Sequence, residues 1–149
     1  MRILVTGAGG QLGFDVCRVL ADRGMQYRGS PSQALDVTDR VAVYEELTAY
    51  RPDGVINCAA YTKVDRAEDE PEECWAVNVD GVRNLAASCR EIGAKLVHLS
   101  TDYVFSGDGE GPYETEDGGA PRSVYGKSKL AGELAAHSLL RECFVVRTS

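Results

Sequence analysis

This 149-residue chain has no excess of basic residues from which to build a phosphate-binding face. Lysine and arginine number 16 against 23 acidic residues, a formal net charge of -7, whereas coating nucleic acid or an anionic membrane requires cations that release counterions. Any bound phosphate must be held locally, by backbone NH groups and a few cations. Metal ligands are scarce too. His98 and His137 are the only histidines, and Cys17, Cys58, Cys74, Cys89 and Cys143 are odd in number, far apart and without a CxxC pair. This argues against zinc sites and disulfide frameworks and favours small buried hydrophobes in a reducing cytosol. No uncharged apolar stretch approaches the roughly 20 residues that span a bilayer. The opening MRILVTG lacks a long apolar region and a small-residue cleavage site, with Asp15 and Arg18 interrupting early, so a cytoplasmic protein is expected. There is no internal repeat and no low-complexity linker, and the length suits one domain with a substantial core.

What is present is an alternation of short β-branched runs with longer helical patterns. Arg2 to Thr6 reads as a buried strand, and Leu12, Val16, Val19 and Leu20 recur at helical spacing up to a stop at Gly24. A weak strand covers Gln26 to Arg28. Thr38 or Asp39 can cap a helix over Val41 to Tyr50, and Gly54 to Cys58 is the next strand. Pro71 to Ile92 reads as one long helix with Trp75, Val79, Val82, Leu85 and Ala86 on one side. Lys95 to Ser100 is a strand, Ser123 to Arg141 a helix and Cys143 to Thr148 a final strand, with Gly107 to Arg122 irregular. Strands apolar on both faces, alternating with helices, predict an α/β fold: a Rossmann-like, doubly wound parallel sheet in three α/β/α layers. Such sheets bind ligands at the carboxyl ends of their strands, beside the point where strand order reverses.

One such end carries Gly7-Ala8-Gly9-Gly10-Gln11-Leu12-Gly13. Gly7 permits a tight turn, Gly10 lets a pyrophosphate approach the backbone, Gly13 allows close helix-to-strand packing, and the helix amino terminus faces the anion. The position of this turn, directly between an apolar strand and an amphipathic helix, predicts nucleotide binding. An Asp or Glu for the adenosine ribose of NAD is expected roughly 20 residues on, yet residues 25 to 35 contain neither. Arg28 stands there instead, and a guanidinium can pair with a 2′-phosphate, which tilts the expected cofactor towards NADP over NAD.

A second constellation is Thr101, at the end of a strand, with Tyr125 and Lys129 at the start of a helix. Tyr125 and Lys129 are i and i+4 and share a face. A phenol near pKa 10 needs help to move protons at neutral pH, and a neighbouring ammonium favours the phenolate. Lys129 can supply that ammonium and hydrogen-bond a nicotinamide ribose. In carbonyl reduction Tyr125 would protonate the developing alkoxide while Thr101 orients the carbonyl oxygen.

The segments TGAGGQLG, NCAAYTKVDRAE, STDYVFSGDG, PRSVYGKSKLAGE and VVRTS together resemble the dTDP-4-dehydrorhamnose reductase family of extended short-chain dehydrogenases, along essentially the whole chain. The resemblance implies NAD(P)H-dependent reduction of the 4-keto sugar of dTDP-4-dehydro-L-rhamnose to dTDP-L-rhamnose, a step in making a polysaccharide precursor. It implies Tyr125 as proton donor, Lys129 as its partner and Thr101 as the carbonyl-orienting group. Gly10, Gln11 and Leu12 would line the pyrophosphate; Asp36 and Val37 would lie near the adenine; Ala59, Ala60 and Tyr61 would border the nicotinamide. Asp102 would touch substrate beside Thr101. Asn78, also matching, reads as a buried amide that satisfies backbone groups.

Some members bind Mg2+ at a subunit contact, which makes a homodimer one implied assembly. Asp15 falls where one metal ligand is a Glu, but a solvated surface carboxylate is the expectation and no metal is. The family continues beyond the Arg-Thr-Ser motif into a smaller sugar-nucleotide domain, so residues 1 to 149 are expected to form its NAD(P)-binding domain, with weak or no turnover by themselves. Competing readings are a nucleotide-sugar epimerase or dehydratase of the same superfamily, or a non-catalytic NADP-binding regulatory subunit of the methionine adenosyltransferase type. Dehydratases commonly place Asp-Glu after the Thr, whereas this chain has Asp102-Tyr103, which favours reduction. Retention of Thr101, Tyr125 and Lys129 argues against a purely regulatory role.

Overall fold

The computed structural model describes residues 1–109 and 111–149. Five strands, β1 Arg2–Thr6, β2 Gln26–Ser30, β3 Gly54–Asn57, β4 Lys95–Thr101 and β5 Cys143–Thr148, form one sheet in the order β2-β1-β3-β4-β5. Every pairing is parallel. The helices are α1 Gln11–Asp22, α2 Arg40–Tyr50, α3 Pro71–Trp75, α4 Val82–Ile92 and α5 Val124–Leu139. The expected Rossmann-like α/β architecture is present.

From β1 the chain moves one way to β2 and then back past β1 to β3. Because crossovers are right-handed, this reversal sends α1 to one face and the later helices to the other. Leu4, Val55 and Leu96 pack with Val43 and Leu47 of α2, Leu85 of α4 and Ala136 of α5. On the opposite face Ile3 and Val5 pack with Leu20, Val16 and Cys17 of α1. Over β5 that second face is open: Phe144, in register with Val97, is 54% exposed. All five cysteines are free, and Cys74, Cys89 and Cys143 are buried.

Local chemistry explains the boundaries. Asp39, not Thr38, caps α2, its carboxylate accepting from the NH groups of Val41 and Ala42 at 2.9 and 3.1 Å. Thr38 instead donates to Asp36. Ser123 caps α5 by accepting from the Gly126 NH, and Glu68 accepts from the Val124 NH at 2.8 Å, so a side chain distant in sequence ties down the helix that carries Tyr125.

The long helix expected over 71 to 92 is interrupted. A π-helical segment, Ala76–Gly81, separates α3 from α4. Its extra residue per turn rotates the apolar stripe, so Val79, Val82, Leu85 and Ala86 are buried while Trp75 is 40% exposed. Trp75 therefore leaves the single side that it would share with the other four in a uniform helix, because constant helical spacing does not survive a π segment.

Candidate active site

A cavity of about 500 Å³ opens at the carboxyl ends of β1 and β3, where the strand order reverses. Gly7, Gly10, Asp36, Val37, Ala59, Ala60 and Tyr61 line it. Gln11 and Leu12, the first residues of α1, follow Gly10 directly and are exposed, outside the cavity lining. Gly10 forms the N-cap without any side-chain cap bond, so the first amides of α1 are available to an anion. The turn is tight: the Gly10 NH donates to the Gly7 carbonyl at 3.0 Å. A Cβ on Gly7, whose φ is +65°, would stand 2.6 Å from the Ala59 nitrogen, and one on Gly13 would stand 2.2 Å from the Gly7 oxygen. These residues fit a dinucleotide, since bare backbone faces the cavity at the place where pyrophosphate requires close approach.

A row of buried polar groups braces the strand ends beneath the cavity. Thr6, Asn57 and His98 are register neighbours on β1, β3 and β4. Thr6 donates to Asn57 Oδ1 at 2.6 Å, and Asn57 Nδ2 lies 3.1 Å from His98 Nδ1. Asn57 Oδ1 also accepts from the Ala59 NH, fixing the chain as it enters the cavity. Burial, reinforced by Lys129 and His137, pushes the His98 imidazole down to about 3. An unfolded histidine takes up its proton near pH 6.5, so the folded chain should lose stability as pH falls from there towards 3, at up to about 1.4 kcal/mol per pH unit. Urea unfolding across this range should show a shallower loss in His98→Gln; parallel pH dependence in the two proteins would contradict a buried neutral imidazole.

Asn78 performs the expected buried task. Its Oδ1 accepts from the Tyr61 NH at 2.9 Å, and its Nδ2 donates to the Tyr61 carbonyl and to Ser128 Oγ at 3.1 and 3.0 Å. One side chain on the π segment thus joins the segment lining the cavity to α5.

Thr101 and Tyr125 meet next to that junction, with Lys129 one turn further along α5. All three are buried. Tyr125 packs with Tyr61, Ala67 and Cys74, and Tyr103 meets its ring edge-on at 5.6 Å. Burial raises the Tyr125 phenol above its ordinary value, the Thr101 hydroxyl opposing and Cys74, Asp102 and Tyr103 adding to the rise. The Lys129 ammonium donates to the Leu99 carbonyl at 2.6 Å, and burial lowers it to about 8 against the opposing pull of Glu133. The lowering of the phenol by Lys129 anticipated from the i, i+4 spacing is thus absent from this geometry: the balance of burial and Thr101 governs Tyr125. Thr101 donates to Asp102 at 3.0 Å and accepts from the Tyr103 NH at 3.2 Å.

Arg28 stands apart from this assembly. β2 runs two residues further than expected, to Ser30, so Arg28 is paired mid-strand with Leu4 and not at the cavity end. Its guanidinium donates to Glu46 of α2 at 3.0 Å and lies over the Tyr50 ring. The residues after the true strand end, Ser32 and Gln33, line the cavity instead. Lys63 and Glu73 line it as well; Lys63 lies within the NCAAYTKVDRAE segment but was given no role there, Glu73 carried no motif, and only the position of Ser32 and Gln33 after β2 could have indicated those two. Asp15 is exposed and paired with Arg18 at 3.2 Å.

The fold, the glycine turn and the Thr, Tyr and Lys grouping define a nucleotide-binding α/β protein of the extended short-chain dehydrogenase kind. Residues 1–149 match the RmlD substrate binding domain family. A dTDP-4-dehydrorhamnose reductase of Streptomyces griseus is 46% identical over 149 residues, covering 99% of this chain and 49% of that protein. The dTDP-4-dehydrorhamnose reductase of Bacillus anthracis, solved in complex with NADP, superposes with a TM-score of 0.96 at 41% identity, covering 99% of this chain and 53% of that one. A Thermus thermophilus UDP-glucose 4-epimerase complexed with NAD gives 0.85 at 29% identity, covering 99% and 54%. The chain therefore belongs to the RmlD, or dTDP-4-dehydrorhamnose reductase, family. It spans about half the length of the curated relatives it matches.

Proposed function

We propose that the protein reduces the 4-keto group of dTDP-4-dehydro-L-rhamnose to dTDP-L-rhamnose with NADPH or NADH, and that residues 1–149 are its NAD(P)-binding domain. The observation that carries this is that Tyr125, beside Thr101, packs on Tyr61, which lines the cavity that begins at Gly7 and Gly10. Gly7, Gly10, Gln11, Leu12 and Gly13 would hold the pyrophosphate, Asp36 and Val37 the adenosine, and Ala59, Ala60 and Tyr61 the nicotinamide side. No carboxylate lies within β2 or the three residues after it to repel a 2′-phosphate, which supports NADPH.

A reduced nicotinamide, when bound, supplies the hydride. Tyr125 supplies the proton, its phenol held neutral by burial until the substrate oxygen gains charge. Thr101 orients that oxygen, and Asp102, bonded to the Thr101 hydroxyl, meets the sugar beside it. Lys129, seated on the Leu99 carbonyl one helical turn beyond Tyr125, would hydrogen-bond the nicotinamide ribose. Tyr103 occupies the position next to Asp102 where a dehydratase would need a second carboxylate, which favours simple reduction. The five free thiols suit a reducing, cytoplasmic compartment.

The test is NADPH oxidation by the protein in its full native length with dTDP-4-dehydro-L-rhamnose. Stoichiometric formation of dTDP-L-rhamnose is expected. Tight NADPH binding without reduction of this sugar would overturn the assignment in favour of a binding or regulatory role.

A further inference from the structure

Glu133 lies on α5 one helical turn beyond Lys129, yet it is only 3% exposed. Carboxylates are rarely buried so deeply without a task or a partner. Its Oε1 accepts from the Ser100 hydroxyl and, at 3.0 Å, from Arg147 Nε; its Oε2 accepts from Arg147 Nη2 at 2.7 Å. Ser100 sits in β4 between Leu99, whose carbonyl takes the Lys129 ammonium, and Thr101. A carboxylate and an ammonium on one face of α5 therefore grip consecutive residues of the strand that presents Thr101.

We propose that Glu133 is a positioning residue that, by joining Ser100 of β4 to Arg147 of β5, holds the strand end on which Lys129 is seated, and that Arg147 sets how strongly Lys129 feels the Glu133 charge. The consequence for proton transfer rests on the reductase assignment above; the charge relation among the three residues does not.

Among the charged and titratable groups around Lys129, Glu133 opposes the effect of burial most. Tyr125 shares its helix, Cys74 faces it from α3 and His98 from β4, with His137 acting on His98 from further along α5. The Cys74 sulfur is hydrogen-bonded to Ser128, and His98 is buried and neutral. Asp102 acts on Tyr125 from the turn after β4. Burial drives the Lys129 ammonium down to about 8, and Glu133 is the larger of the influences opposing that fall. Arg147, reaching in from β5, forks onto the same carboxylate and also lies 5.0 Å over the Phe105 ring, which stacks on Tyr113. The loop after β4, the end of β5 and the Lys129 face of α5 thereby share one chain of contacts.

The two partners of Glu133 have opposite effects, and this separates an electrostatic role from a merely structural one. In protein of full native length carrying ¹³C-labelled lysine side chains, the Lys129 resonance is assigned by its loss in Lys129→Arg and titrated by NMR. Glu133→Gln keeps an oxygen for Ser100 but removes the charge, and its Lys129 midpoint should fall by about one pH unit or more, a tenfold change in ionisation. Arg147→Met frees the Glu133 charge for Lys129, and its midpoint should rise. The alkaline fall of kcat/KM should move in the same direction in each variant. Folded variants with unmoved midpoints, or a fall in both, would overturn the proposal. Should Glu133→Gln fail to fold, Arg147→Met decides alone: a rise supports the proposal and anything else overturns it. Because the titration needs no substrate, it stands or fails separately from the assay of sugar reduction.

Discussion

Tyr125→Phe should lower turnover of the keto sugar by about 10²- to 10⁴-fold, the range that a positioned general acid contributes, while NADPH affinity stays close to that of the parent. The substitution isolates the hydroxyl. The ring is held by Tyr61, Ala67 and Cys74 and met edge-on by Tyr103, and phenylalanine keeps that shape. What disappears is the hydroxyl with its proton, beside Thr101. An interaction made only in the transition state lowers kcat and kcat/KM together, so loss confined to KM would show that Tyr125 merely binds. Burial holds the phenol above its ordinary value, so the acid is in its competent, protonated form throughout the neutral range. Reduction by the parent should therefore decline only on the alkaline side, first as Lys129 and then as the phenol loses its proton. Turnover by Tyr125→Phe within a few-fold of the parent would remove Tyr125 from the chemistry.

How far the molecule could be read from its residues depended on the reach of each interaction. The glycine turn was legible because strand, turn and helix are contiguous, and Gly7, Gly10 and Gly13 each answer to backbone within the same seven residues or just after β3. Tyr125 and Lys129 were legible as helical neighbours, but the direction of the ammonium was not, since Leu99 belongs to another element. The placement of Arg28 was not legible for a related reason. Its surroundings depend on where β2 ends and on Glu46 of the next helix, and neither is visible in a local pattern. The row formed by Thr6, Asn57 and His98 arises only from strand register, and Glu133 looks like any carboxylate on a helix until β4 and β5 enclose it. Asn78 was anticipated as a buried amide, while the π segment that presents it, and that leaves Trp75 exposed, broke the assumption of constant helical spacing.

The glycine turn also yields a prediction in which two neighbouring substitutions should fail differently. At Gly13 a Cβ would stand 2.2 Å from the Gly7 oxygen and 2.8 Å from the Ala8 Cα. Both are backbone atoms, so neither can swing aside as a side chain would, and relief requires α1 to lift from the turn. Gly13→Ala should cost about 1 to 3 kcal/mol or more of stability, the range for overpacking. It should also abolish measurable NADPH binding, because the NH groups at the start of α1 lose their aim. At Gly10 a Cβ would lie 3.4 Å from the Gly7 oxygen, an ordinary contact, and the backbone φ of -83° suits any residue. Gly10→Ala should therefore unfold near the parent's Tm. Its methyl group instead fills space at the bare N-cap, where the pyrophosphate must approach, so NADPH binding should weaken by at least about tenfold, or 1.4 kcal/mol. Thermal unfolding and NADPH fluorescence titration on both variants separate the two effects. A Gly10→Ala protein that binds NADPH like the parent would mean that the phosphates do not rest on this turn, and the cofactor site would have to be sought elsewhere on the sheet.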